Sequence, residues 1–166
     1  YQEHMVPALT EMMEEGILNT FSAWQHHTGG DYSIRLVYFA PWDNMDEIYP
    51  ELTSRMPEGE MEEMGTTFTS HTDAIWADGE YNFIEGAQVN MIYIAMYEIN
   101  YSDMAEWNEV FNDVGVPALN MAMEDGYLQG WRTLNHNTGG EGYNMSLIYA
   151  VDEWDDIDNA LSAVVG

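Results

Sequence analysis

The chain has no cysteine and no lysine, and its only basic residues are Arg35, Arg55 and Arg132. Without cysteine there is no disulfide, no thiolate metal site and no cysteine nucleophile, although the compartment stays open. Against 3 basic residues stand 30 acidic ones, a formal net charge of −27. A field of that sign repels phosphate, so neither nucleic acid nor anionic membrane is an expected partner. No apolar run approaches the ~18–20 residues of a membrane span, and no signal peptide is visible. Also absent are an Asp-x-Asp-x-Asp-Gly calcium loop, a Gly-rich phosphate loop and a Gly-x-Ser-x-Gly elbow. The acidity reads first as a solvated surface suited to a saline, extracellular or periplasmic setting.

What is present is ample material for a core. Among 166 residues 46% are hydrophobic, with 6 Trp and 11 Tyr, enough for one ordinary domain or two small modules. The chain opens on Tyr rather than Met, which reads as a mature or shortened form.

One stretch occurs twice. Val6-Pro7-Ala8-Leu9 runs through Gly16 and Leu18 to His26-His27-Thr28-Gly29-Gly30. At a shift of 116 − 6 = 110, Val116-Pro117-Ala118-Leu119 runs through Gly126 and Leu128 to His136-Asn137-Thr138-Gly139-Gly140. Between Val6–Asp31 and Val116–Glu141, 12 of 26 positions are identical, which marks an internal duplication.

The element pattern follows the repeat. Val6, Leu9 and Met13 share a helical face ended by Gly16, and residues 17–27 and 32–40 read as strands joined by a turn at Thr28–Asp31. A helix follows Asp43, kinked or delayed by Pro50. Residues 57–87 read as an irregular connector with one strand inside Thr66–Trp76, and Asp78-Gly79 as a turn. Val89–Ile99 is apolar on nearly both faces and reads as a central, covered strand. A helix from Asp103, broken or bent by Gly115 and Pro117, leads to strands at 127–137 and 143–151. A last helix from Trp154 carries Ile157, Leu161 and Val164 inward. From residue 88 the order is therefore β-α-β-β-α.

Trp107-x-x-x-Phe111, Pro117, Gly126-x-x-x-x-Trp131-x-x-Leu134, Ile148-Tyr149-Ala150 and Trp154-Asp155-x-x-Asp158-x-Ala160 together resemble the dimeric α+β barrel superfamily. That group includes antibiotic-biosynthesis-monooxygenase-like proteins. The resemblance covers about 88–166 directly and 1–56 by way of the repeat. It implies an α+β fold of two ferredoxin-like modules, their antiparallel sheets pairing into a pseudo-two-fold barrel with helices outside. The first module, 1–87, is expected to lack its first strand and the second, 88–166, its last. A longer chain or neighbouring subunits would supply them, or the outer strands are lost and the sheet is smaller. The resemblance also implies binding of a small apolar or aromatic molecule, and in some branches oxygenase chemistry without a separate cofactor. The superfamily's catalytic Asn-Trp-His set does not map onto this chain, so no activity is carried over.

His26 and His136 hold the same repeat position, near the end of a strand. Alternation places His26 on one face with Trp24, and Arg35 lies on the partner strand. His26 as general base and Arg35 as oxyanion stabiliser are the catalytic candidates. Trp24, Tyr38, His136 and Tyr149 are the ligand-binding ones. The competing reading has both histidines tying down their Thr-Gly-Gly turns. Only His26, His27 and His71 with Asp73 approach a metal cluster, and adjacent strand residues point apart, so neither metal nor cofactor is expected. Asn100-Tyr-Ser and Asn144-Met-Ser match glycosylation acceptors, the second inside a strand. Two functions are consistent with these features: a small-molecule-binding barrel, or a self-associating subunit that pairs through open sheet edges.

Overall fold

The computed structural model describes residues 2–27, 33–139 and 142–165, the side chains of Val164 and Val165 excepted. The chain divides into two compact units, Tyr1–His71 and Thr72–Gly166. It is an α+β protein with one two-stranded and one four-stranded antiparallel sheet.

In the first unit α1, Met5–Glu14, buries Met5, Ala8, Leu9 and Met12, the i, i+3, i+4, i+7 face of an amphipathic helix. Pro7 sits in its first turn, where a missing N–H costs nothing. The helix stops at Gly16, whose φ of 78° is the left-handed conformation glycine adopts freely, and Ile17 and Leu18 N–H both return to the Met12 carbonyl. Strands β1, Thr20–Gln25, and β2, Ile34–Phe39, pair antiparallel. The expected turn between them, Thr28–Asp31, lies outside the described residues. A 3-10 turn at Trp42–Asn44 precedes α2, Ile48–Arg55, so Pro50 delays the helix and occupies its first turn. Helix α3 is Glu60–Thr67. The core joins α1 and α2 through Leu9, Met12, Ile48 and Leu52, with Phe21, Leu36 and Tyr38 of the sheet against it.

The second unit opens with β3, Ala74–Phe83, then β4, Met91–Tyr97. Helix α4, Met104–Val110, passes through a π turn at Phe111–Gly115 into α5, Val116–Glu124. Strands β5, Gly130–Gly139, and β6, Met145–Val151, and helix α6, Asp155–Val165, complete it. The sheet order β3-β5-β6-β4 is compatible with a ferredoxin-like arrangement of β4-α-β5-β6-α, with β3 added at one edge. Leu119, Ala122, Trp131, Leu147, Tyr149, Val151 and Ala160 form the core between sheet and helices. The duplicated cap is preserved. Gly126 has φ 84°, and Tyr127 and Leu128 N–H return to the Ala122 carbonyl, as their counterparts do after α1.

Four expectations are corrected. Residues 57–87 are not an irregular connector: α3 and β3 account for most of them, and β3 belongs to the second unit's sheet. Met61 and Met64 give α3 an apolar side that packs on the first core, a signal hidden among its acidic residues. Asp78-Gly79 makes a bulge inside β3 rather than a turn. β4 is an edge strand, its two-sided apolarity arising because Ala95 and Tyr97 meet the helical core while Ile94 lies across from Ile148 on the other face. Neither sheet closes into a barrel, since each ladder ends at unpaired edges among the described residues.

Candidate functional site

The residues singled out from the sequence fall in different surroundings. In the first unit Trp24 lies directly opposite Arg35, and His26 N–H donates to the Ser33 carbonyl at 2.8 Å. Strand alternation puts Ser22, Trp24 and His26 on one face with Arg35 and Val37. The Trp24 indole N–H donates to Ser22 Oγ at 2.8 Å. Tyr38 pairs with Phe21 on the opposite face and packs on the helical core. The sheet thus brings His26, Trp24 and Arg35 together and separates Tyr38 from them. His26 is exposed there.

In the second unit His136 is tied to the end of β5. Its Nε2 bonds the Gly139 carbonyl, and its ring meets Trp76 edge-on at 5.1 Å. Tyr149 is buried on the helical side, its ring 5.7 Å from that of Tyr93. Burial pushes the Tyr149 phenol well above its ordinary range, and the neighbouring Tyr97, to which it donates a hydrogen bond, raises it further. Burial raises Tyr97 as well, partly offset by that same bond. These are core phenols held neutral. Asn144, of the second glycosylation motif, donates to the Ile99 carbonyl at 2.6 Å and accepts from Ile99 N–H at 2.9 Å, which extends the β4–β6 ladder. Among the described residues no group of three or more His, Asp or Glu is placed to hold a metal ion.

A cleft of about 260 Å³ opens elsewhere in the second unit. Two backbone irregularities border it. On one side is the bulge in β3, where Asp78 pairs with Leu134 and Tyr81 with Arg132, so that Gly79 and Glu80 together face Thr133. Thr133 fixes the bulge: its hydroxyl accepts from Glu80 N–H at 2.8 Å and donates to the Glu80 carbonyl at 3.2 Å. Only glycine fits at position 79, because a Cβ there would run into Thr133 Oγ1. On the other side is the π turn. Pro117 cannot donate into a helical ladder, and its ring disfavours the regular carbonyl position four residues back; a wider turn just before it accommodates both. Gly115 packs beneath Phe111, since a Cβ on it would come 2.8 Å from the Phe111 ring.

The lining includes Trp107, Phe111, Asn108, Asn112, Asn135 and Glu80, so aromatic, amide-bearing and acidic residues meet there. Trp107 and Phe111 stack with centroids 6.0 Å apart, and Phe111 meets Trp131 edge-on at 6.1 Å. The wall beneath is anchored by Asn120, whose Oδ1 accepts from the Trp131 indole at 3.1 Å and from Asn82 at 2.8 Å. No basic side chain lines the cleft. Arg132 alternates to the other face of the sheet, 3.3 Å from Asp78 and over the Tyr81 ring at 4.8 Å. Such a lining combines aromatic residues, asparagines and one acidic residue.

In the sequence Trp107 and Phe111 carry the family resemblance and Gly79 reads as part of a turn, while Glu80, Asn108, Asn112 and Asn135 have no assigned role. Two signals were available: a glycine inside a strand pattern, which marks a bulge, and Gly115-x-Pro117 inside a helical one. No known protein family, curated protein or solved structure matches this chain.

Proposed function

We propose that this protein binds a small, uncharged or cationic molecule bearing one flat apolar face, in the cleft between the β3 bulge and the π turn. The observation that supports this reading is the meeting of two backbone irregularities on one cleft. Bulges and π turns are costly departures from regular ladders and concentrate where side chains must be re-aimed for function. Here the bulge aims Gly79 and Glu80 at the same space that the π turn lines with Phe111 and Asn112.

Size and charge narrow the ligand. A volume of about 260 Å³ lies just below the ~300–1,000 Å³ usual for ligand sites, which leaves room for about one ring system. An acidic residue, Glu80, in the lining, no basic residue there and the −27 charge of the chain all disfavour an anion. Trp107 and Phe111 favour an aromatic or ammonium-bearing partner. The β-α-β-β-α order and its sheet order support, within the same proposal, the resemblance to dimeric α+β barrel proteins, many of which hold small molecules. The acidic surface fits work in a saline extracellular or periplasmic medium.

Benzamidinium, benzamide and benzoate share a shape and differ in charge, so calorimetric titration with the three tests both size and sign. Binding of the first two, lost in Trp107→Ala, is expected. Equal binding of benzoate, or binding of benzamidinium and benzamide unchanged by Trp107→Ala, would remove this reading.

A further inference from the structure

The cleft holds hydrogen-bonding capacity that the fold leaves unspent. Among the described residues the side-chain amides of Asn108, Asn112 and Asn135 bond no protein group. Other asparagines are committed to the structure. Asn44 donates to the Gly16 carbonyl, Asn82 donates to Asn120, and Asn144 donates to the Ile99 carbonyl. The three uncommitted amides also stand on both sides of the cleft. Asn108 lies on α4 and Asn112 in the π turn, four residues apart and so on one helical face, whereas Asn135 lies on β5. Gly79 leaves room beside the strand side, since a Cβ there would come 3.2 Å from Asn135 Nδ2.

We infer, resting on the cleft as the ligand site, that it takes a free purine or pyrimidine base, one that carries no phosphate. A carboxamide presents a donor and an acceptor side by side. Its match is a ring edge with an acceptor next to a donor, which is how asparagine pairs with adenine. A ring with polar groups at one edge meets the amides of one side only. Nucleobases carry such groups on more than one edge and keep their flat faces for an aromatic side chain such as Trp107. Charge separates the free base from its nucleotide. The acidic Glu80, the lack of a basic residue in the lining and the −27 charge of the chain all act against a phosphate.

Calorimetric titration with adenine, hypoxanthine, cytosine and uracil, each set against its unsubstituted parent ring, purine or pyrimidine, tests this. At least one base is expected to bind about tenfold or more tightly than its parent, the discrimination of one good bidentate pair. Its 5′-monophosphate should bind more weakly than the base itself. Asn108 and Asn112 are exposed, so replacing both with leucine should leave the circular dichroism spectrum unchanged and bring that base down to the affinity of its parent ring. Benzamidinium binding that depends on Trp107, with no base preferred to its parent, would overturn this inference and leave the cleft as a ligand site. A base preference that survives the double leucine variant, or a monophosphate that binds as well as its base, would overturn it too. Loss of benzamidinium, benzamide and base binding alike would remove both readings.

Discussion

At the scale of single residues, the scarcity of positive charge makes each arginine consequential. Arg55 gathers Glu15 at 2.7 Å, Glu51 at 2.9 Å and Glu11 at 3.6 Å, which ties the end of α1 to α2. Hydrogen bonding to Arg55 holds the Glu15 carboxyl below the ordinary carboxylate range. A depressed folded value contributes stability above the unfolded pKa and loses it as pH falls through the folded one. Arg55→Met should therefore lower the urea midpoint at neutral pH and narrow the gap to wild type as the carboxylates protonate. High salt should also narrow it, because the partners are exposed. Tyr149 runs the other way. Its pKa is raised by burial, so the stability it contributes is complete below the ordinary phenol value of 10.0 and declines as pH rises above it. Tyr149→Phe should cost about 1 kcal/mol at neutral pH, the worth of a typical buried hydrogen bond, and lessen the alkaline loss. Chemical denaturation at acidic, neutral and alkaline pH measures both.

At the scale of elements, the helices and strands with strong periodicity were legible and the irregular ones were not. The burial of Met5, Leu9 and Met12 in α1 follows from spacing alone, as does the glycine stop repeated at Gly16 and Gly126. The sequence places a strand inside Thr66–Trp76, which overlaps only the start of β3, because Asp78-Gly79 looks like a turn when the strand is read alone; only Thr133, far along the chain, makes it a bulge. β4 was read as central because apolarity on both faces says that both are covered, not that both edges are paired. Of the candidate site, Trp107, Asn108, Phe111 and Asn112 share one helical face, but the other lining residues come from β3, β5 and β6 and share no sequence spacing with them. The two irregularities carry their own predictions. Gly79→Ala forces β3 away from Thr133 and should cost ~1–3 kcal/mol, as other overpacking substitutions do, together with loss of benzamidinium binding. Gly115→Ala displaces the Phe111 ring and should weaken binding while leaving the β5–β6 ladder protected in hydrogen exchange.

At the scale of the whole molecule, duplication and charge set the terms. The two matching stretches share helix caps and strand registers but differ at single polar positions: Arg35 corresponds to the buried Ser146, and His27 corresponds to Asn137. A net charge of −27 self-repels within the folded chain, so salt should raise its thermal midpoint before any ligand is added. A melting series in rising sodium chloride checks this; a midpoint that falls would contradict it.

The central claim is that the cleft beside the β3 bulge is the ligand site, and the most direct measurement is an NMR titration of isotope-labelled protein with benzamidinium. The account predicts saturable shifts at the Trp107 indole N–H and the side-chain amides of Asn108, Asn112 and Asn135, with His26 and Arg35 unmoved. Shifts gathered instead around His26, Trp24 and Arg35, or none at any concentration, would contradict it.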